Sequence, residues 1–204
     1  METMPTYRTA LPLFDELRGQ RISVRPYRQD DAEALMAAVA ESREHVRAWL
    51  PFADAHQTVE ESRDWIIQGM AAWLLRDELR LSIWELGADR FLGGIGLHPR
   101  NWDSGYFEIG YWLRRSAEGH GYMQEAVRLL ADFAFAQLAA NRVEIRCDAR
   151  NRRSAAVAER LGFVREAQLR YHLRAPDGTL RDTLIYALTP DDVRWPQQAQ
   201  PHIA

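Results

Sequence analysis

The spacing of apolar residues shifts along the chain, and each shift marks an element. Residues 21–28 alternate apolar and polar side chains as a strand does, and Pro26, with no N–H for a sheet ladder, assigns that strand to an edge or a bulge. Asp30 or Asp31 stands where a helix cap is needed, ahead of a helix over 32–40 and a second helical piece over 42–50 that Pro51 stops. Thr58-Val59-Glu60-Glu61 has the capping-box pattern and opens a long amphipathic helix toward Arg76, carrying Trp65, Ile66, Met70, Trp73 and Leu74. Residues 79–86 and 91–99 read as a hairpin across a turn at 87–90. A further strand covers 106–113. After it, Val127, Leu130, Ala131, Ala134 and Leu138 form one stripe, the face of a helix that packs on a sheet and stops near Asn141. Residues 142–148 predict a strand with Val143, Ile145 and Cys147 on one face, and 151–161 a short helix ended by Gly162. Two last strands, 163–173 and 179–188, are joined through Pro176-Asp177-Gly178.

This order predicts an α+β fold, a mixed, mostly antiparallel central sheet of about seven strands with helices on both faces. At 204 residues and 47% hydrophobic content, one domain over 21–188 accounts for every element. It leaves a loosely ordered lead, 1–20, and a tail, 189–204, with little to bury. A net charge of −3 gives no broad basic field, so neither nucleic acid nor an anionic membrane is an expected partner. All the basic residues apart from histidine are arginine, which excludes a lysine nucleophile or Schiff base. Cys147 stands alone, which excludes an intrachain disulfide and a thiolate zinc site and fits a reducing cytoplasm. His45, His98 and His172 lack metal-ligand spacing, so no metal is expected. The first twenty residues hold Asp15, Glu16 and Arg18 and no sustained apolar run, and neither a signal peptide nor a membrane span is expected there.

The stretch with the most chemistry in it is 114–126, Arg-Arg-Ser-Ala-Glu-Gly-His-Gly-Tyr-Met-Gln-Glu-Ala. A strand gives way to a turn in which Gly119 and Gly121 flank His120, and then to a helix. The first backbone N–H groups of a helix have no intrahelical partner and the helix dipole adds partial positive charge, so such a junction suits a phosphate or pyrophosphate. Glycines let the backbone approach the anion without a Cβ in the way.

The segments 113–126, Asn151-Arg152-Arg153-Ser154 and Leu161-Gly162-Phe163, with 45–52 and 58–62 ahead of them, resemble the GNAT superfamily of N-acetyltransferases, and more narrowly its RimJ/RimL-type branch. The likeness runs from about 21 to 188. It implies transfer of an acetyl group from acetyl-CoA to a primary amine by direct attack, with a protein or peptide N-terminal α-amine as acceptor. Also open are a small-molecule amine, another donor such as succinyl-CoA, and a non-catalytic acyl-CoA-binding module. It further implies that the backbone of Gly119, His120, Gly121, Tyr122, Met123 and Gln124 holds the CoA pyrophosphate. Glu118 stands where the family usually has Gln or Arg, and Met123 where a small residue is common. Arg114, Arg115, Arg152 and Arg153 are candidates for the other phosphate. Pantetheine would lie between 106–113 and 142–148, with Asn151 bonded to it and the N–H of Trp112 or Leu113 polarising the thioester carbonyl.

For the chemistry itself the likeness implies Glu108 as base through water and Ser154 as the acid that protonates the thiolate, while Tyr106, Tyr111 and Tyr171 are alternative acids. Asn151 and Ser154 also suit a helix N-terminus. Trp49, Phe52 and Tyr171 are the candidate acceptor contacts, and Asp177 and Asp182 offer charge to a cationic amine. Cys147 reads as a small buried hydrophobe rather than a nucleophile. A homodimer is implied by the likeness alone.

Overall fold

The computed structural model of the chain describes residue 11 and residues 13–195. Its strands are β1 (Leu17–Arg18), β2 (Ile22–Pro26), β3 (Leu79–Glu85), β4 (Arg90–Asn101), β5 (Tyr106–Leu113), β6 (Arg142–Asp148), β7 (Val164–Arg174) and β8 (Leu180–Leu188). They form one sheet in the order β1-β2-β3-β4-β5-β6-β8-β7. Every neighbouring pair is antiparallel except β5 and β6. The strand beyond the seven expected is the two-residue β1, too short to carry a period-2 signal. β1 pairs only with Val24 and Ser23, so Pro26 lies past its reach and costs no ladder bond on that side.

The helices are α1 (Ala32–Arg47), α2 (Val59–Leu75), α3 (Tyr122–Gln137) and α4 (Arg152–Arg160). α1 is continuous where two pieces were expected: Ser42, read as a second start, is buried in mid-helix and its hydroxyl accepts the Arg115 N–H at 2.9 Å. The predicted capping box forms at α2, where Glu61 N–H donates to Thr58 Oγ1 and Thr58 N–H to Glu61 Oε2, each at 3.1 Å. Along α2, Ile66 and Trp73 are buried while Met70 and Leu74 face solvent.

Two cores sandwich the sheet. α3 and α4 cover one face and bury Val127, Leu130, Ala131 and Ala134 against Phe107, Ile109, Val143 and Ile145. α1 and α2 cover the other over β2–β5, with Leu35, Val39 and Ile66 against Tyr27, Phe91 and Trp112. The chain outside 21–188 is more committed than expected. Leu11, Phe14 and Leu17 are core residues, Phe14 edge-on to Trp73 and Phe133 at 5.1 and 4.6 Å. Beyond β8, Val193 and Trp195 pack on the same core, and Trp195 Nε1 donates to Asp132 at 2.8 Å. The rest of the lead and tail lies outside the described residues.

Candidate active site

β5 and β6 run side by side only at Tyr106–Arg142, Phe107–Val143 and Glu108–Glu144. Past Glu108 both strands continue, to Leu113 and Asp148, without pairing each other, so the sheet opens a gap. β5 stays bonded to β4, with Arg114 N–H donating to Leu92 O at 2.8 Å. Hydrogen-bonding direction alternates along a strand, so the N–H groups of Tyr111 and Leu113 point into the gap and that of Trp112 points to β4. Of the two N–H groups considered for a thioester carbonyl, only that of Leu113 lies on the open side.

The glycine turn sits at the head of this gap. Gly119 and Gly121 have φ of +81° and +78°, values that L side chains resist, and a Cβ on Gly119 would meet nothing within 4 Å. Gly121 is the N-cap of α3 and makes no side-chain cap hydrogen bond, which leaves the first-turn N–H groups of Tyr122, Met123 and Gln124 directed outward. The turn is fastened from below. Arg21 donates to His120 O at 2.7 Å, and Glu125 accepts from the N–H groups of Gln20 and Arg21 and from Arg21 Nε at 2.6, 2.9 and 3.0 Å. His120 stacks on Tyr122, whose hydroxyl donates to Glu85, and Met123 is buried.

Glu118 reaches Arg153 on α4 at 2.6 Å and His45 on α1 at 3.4 Å, so its carboxylate is ion-paired to Arg153 across the gap. Arg114 is held by Glu41 and the Phe91 carbonyl, and Arg115 by its backbone to Ser42. Arg153 is 78% exposed along its side chain despite its ion pair, and Arg115 and Arg152 are exposed as well.

Side chains alternate faces along β5, and this separates the candidate catalytic groups. On the α4 side, Tyr111 OH lies 3.0 Å from Ser154 Oγ, and Asn151 Oδ1 accepts the Ser154 N–H at 3.1 Å, so Asn151 is the cap of α4. Burial raises the Tyr111 hydroxyl pKa well above the ordinary range, so it stays protonated at neutral pH. Cys147 lies buried nearby, its thiol pushed up to about 11 by desolvation. On the opposite face Glu108 is ion-paired with Arg100 at 3.1 Å and Arg146 at 3.5 Å. Tyr106 there donates to Glu144 at 2.6 Å. Phe52 packs on Trp112 at 5.4 Å, while Trp49 lies half-buried after α1 and Tyr171 is exposed on β7.

Several contacts that build the site were not legible in the sequence: Glu41 with Arg114, Arg21 with Glu125, and Glu78 with His98 at 3.0 Å. The first two join residues far apart in the chain, and the third depends on the register of β3 on β4; no spacing rule reports either.

A sheet that parts between parallel neighbours beside a glycine-bearing helix N-terminus offers an open strand edge and free backbone N–H groups to an extended ligand carrying a pyrophosphate. Residues 21–164 match the acetyltransferase (GNAT) domain, and the chain belongs to that family. It is 31% identical over 180 residues to the "Putative ribosomal N-acetyltransferase YdaF" of Bacillus subtilis (strain 168), covering 83% of this chain and 92% of that protein. It is 33% identical over 180 residues to the "Probable N-acetyltransferase YjcK" of the same organism, covering 86% and 98%. RimL, a ribosomal L7/L12 alpha-N-protein acetyltransferase solved in complex with coenzyme A, shares the fold with a TM-score of 0.80 at 20% identity, over 87% of this chain and 99% of that one. Among the described residues no cluster of three or more His, Cys, Asp or Glu could hold a metal ion, and no helix is long and apolar enough to cross a membrane.

Proposed function

We propose that this acetyltransferase uses acetyl-CoA to acetylate a primary amine, and that the amine is the N-terminal α-amine of a protein or peptide. The observation that carries the donor is the gap between β5 and β6 leading to the uncapped, glycine-bearing N-terminus of α3. A pantetheine arm fits an open strand edge and a pyrophosphate fits backbone N–H groups at a helix start. Acetyl-CoA supplies the activated thioester. The residues around the gap supply the rest. The backbone of 119–124 holds the pyrophosphate, Leu113 N–H polarises the carbonyl, and Glu108, through water, receives the proton of the arriving ammonium. Ser154 and Tyr111 protonate the departing thiolate from the other face. The arrangement lets the amine arrive on one side of the sheet while the thiolate leaves on the other, which keeps the two proton transfers from competing.

The acceptor reading is supported by the ribosomal name of the YdaF relative and by the aromatic wall of Phe52 and Trp112 beside the face that carries Glu108. The test is acetyl-CoA-dependent thiol release against short peptides of varied N-terminal residue, polyamines, amino acids and aminoglycosides, with succinyl-CoA in parallel. Release with peptides beginning in Ser or Ala is expected; release with small amines alone would discard the peptide acceptor, and a preference for succinyl-CoA the acetyl donor. Glu108→Gln is expected to lower kcat by about 100-fold with the KM for acetyl-CoA little changed. An unchanged kcat would remove Glu108 from the proton path.

A further inference from the structure

On the acceptor face, one strand over from Glu108, stands a pair with no assigned role. His98 on β4 is the cross-strand neighbour of Glu108 on β5, and its Nδ1 lies 3.0 Å from Glu78 Oε1. The other carboxylate oxygen of Glu78 is taken by Arg80, through Nε at 2.7 Å and Nη2 at 2.6 Å, so the carboxylate has one orientation. Burial works to raise the Glu78 pKa, but the hydrogen bonds from His98 and Arg80 outweigh it and hold the carboxyl at about 2. A carboxylate fixed on Nδ1 selects the tautomer protonated there and leaves the Nε2 lone pair free.

Nε2 is aimed at a particular place. A Cβ built on Gly96 would lie 3.0 Å from it, and one on Gly110 3.1 Å, so the imidazole tip rests close over a two-glycine floor, where a larger residue would press on it. Gly96 and Gly110 are themselves register partners, and Gly110 comes two residues after Glu108, the last at which β5 pairs with β6. The tip therefore stands where the gap begins, one residue from Tyr111 and three from Leu113. The charged groups around it are Glu78 and Arg80 at the start of β3, Arg100 on its own strand, Glu108 on β5 and, beyond Glu108, Arg146 on β6. α2 approaches through Gly69 and Trp65, both against Arg80.

We infer that His98 is a catalytic residue standing between the acceptor ammonium and the water at Glu108, its Nε2 taking the proton first and passing it on, with Glu78 as its positioning residue. This rests on the amine-transfer reading above. The ammonium gives one proton to Nε2. The freed nitrogen lone pair forms the N–C bond at the thioester carbonyl and the C–S bond breaks. The second proton of the nitrogen goes to the thiolate by way of Ser154 and Tyr111. Imidazolium then returns its proton to solvent through the water at Glu108, so the sum is one amide, one thiol and one proton.

The experiment uses the full-length protein, acetyl-CoA and the best peptide or amine of the panel. His98→Gln is expected to lower kcat by about 100-fold or more while the KM for acetyl-CoA stays within about twofold. His98→Ala is expected to regain rate on addition of free imidazole, because the ring's removal leaves space over Gly96 and Gly110. Glu78→Gln is expected to lower kcat by about tenfold with the same KM, and Glu78→Asp to recover part of it. His98→Gln with a wild-type kcat and pH profile would overturn this inference alone. So would a loss in His98→Ala that imidazole fails to restore, since that marks a packing role. Wild-type protein that releases no thiol with any amine would overturn the transferase reading, and this inference with it.

Discussion

At Cys147 the thiol lies buried on β6 beside the Ser154 hydroxyl, and desolvation keeps it protonated up to about pH 11. The thiolate is the reactive form, and at pH 8 almost none is present. Cys147→Ala is accordingly expected to retain acetyl transfer within about twofold, and thiol-modifying reagents to label the native protein at pH 8 far more slowly than the unfolded one. Glu41 behaves in the opposite sense. Its hydrogen bond from Arg114, joined by the Ser116 N–H, holds its carboxyl at about 2. A depressed carboxylate pKa stabilises the fold above the unfolded value, about 4.3, and that stability is lost as pH falls toward 2. Glu41→Gln should cost about 1 kcal/mol at pH 7, or about 2–4 °C in Tm. The Tm difference from wild type should close between about pH 4.5 and 2, and a difference independent of pH would show that the ion pair is not its source.

Among the elements, the junction of β5 and α3 turns on its two glycines. Gly121 caps α3 at φ +78°, and its Cβ would stand 3.4 Å from the Arg21 guanidinium. Gly121→Ala therefore adds left-handed strain of about 1–2 kcal/mol at the turn, with its Cβ in ordinary contact with the arginine that fastens it. A Tm loss of about 2–8 °C is expected, together with a several-fold rise in the KM for acetyl-CoA and a smaller change in kcat, as read by steady-state thiol release. The glycine turn, the capping box at Thr58 and the stripe of α3 were legible because each is a local pattern of a few residues. The continuity of α1 was not. Ser42 looks like a start in sequence, and the Arg115 N–H, brought to it from just past the end of β5, gives its hydroxyl a partner while buried within a helix.

At the scale of the whole molecule, the lead completes the core that α3 shares with the sheet. Phe14 is 2% exposed between Trp73 and Phe133. Phe14→Ala is expected to cost about 3–5 kcal/mol, a large part of the usual stability of a domain, and to lower the urea midpoint with little change in slope. A loss below about 1 kcal/mol would show that the lead is dispensable. Leu11, Phe14 and Leu17 are buried from a stretch whose regular structure is the two-residue β1, too short for a period to mark it in the sequence.

The sequence by itself determined the α+β class, nearly all the strands and helices, and the glycine turn, because periodicity, caps and turn residues act over a few positions at a time. It also supplied the residue types from which the site is made. Tertiary structure alone decided which of them meet. The parting of β5 from β6 after Glu108 sets the gap, and strand alternation puts Glu108 and Ser154 on opposite faces. The register of β4 against β5 places the His98 tip over Gly110, and the fold brings Glu118 to Arg153 across the gap. Those pairings rest on long-range register, which a one-residue slip would reverse face for face, and no local pattern in the chain encodes it.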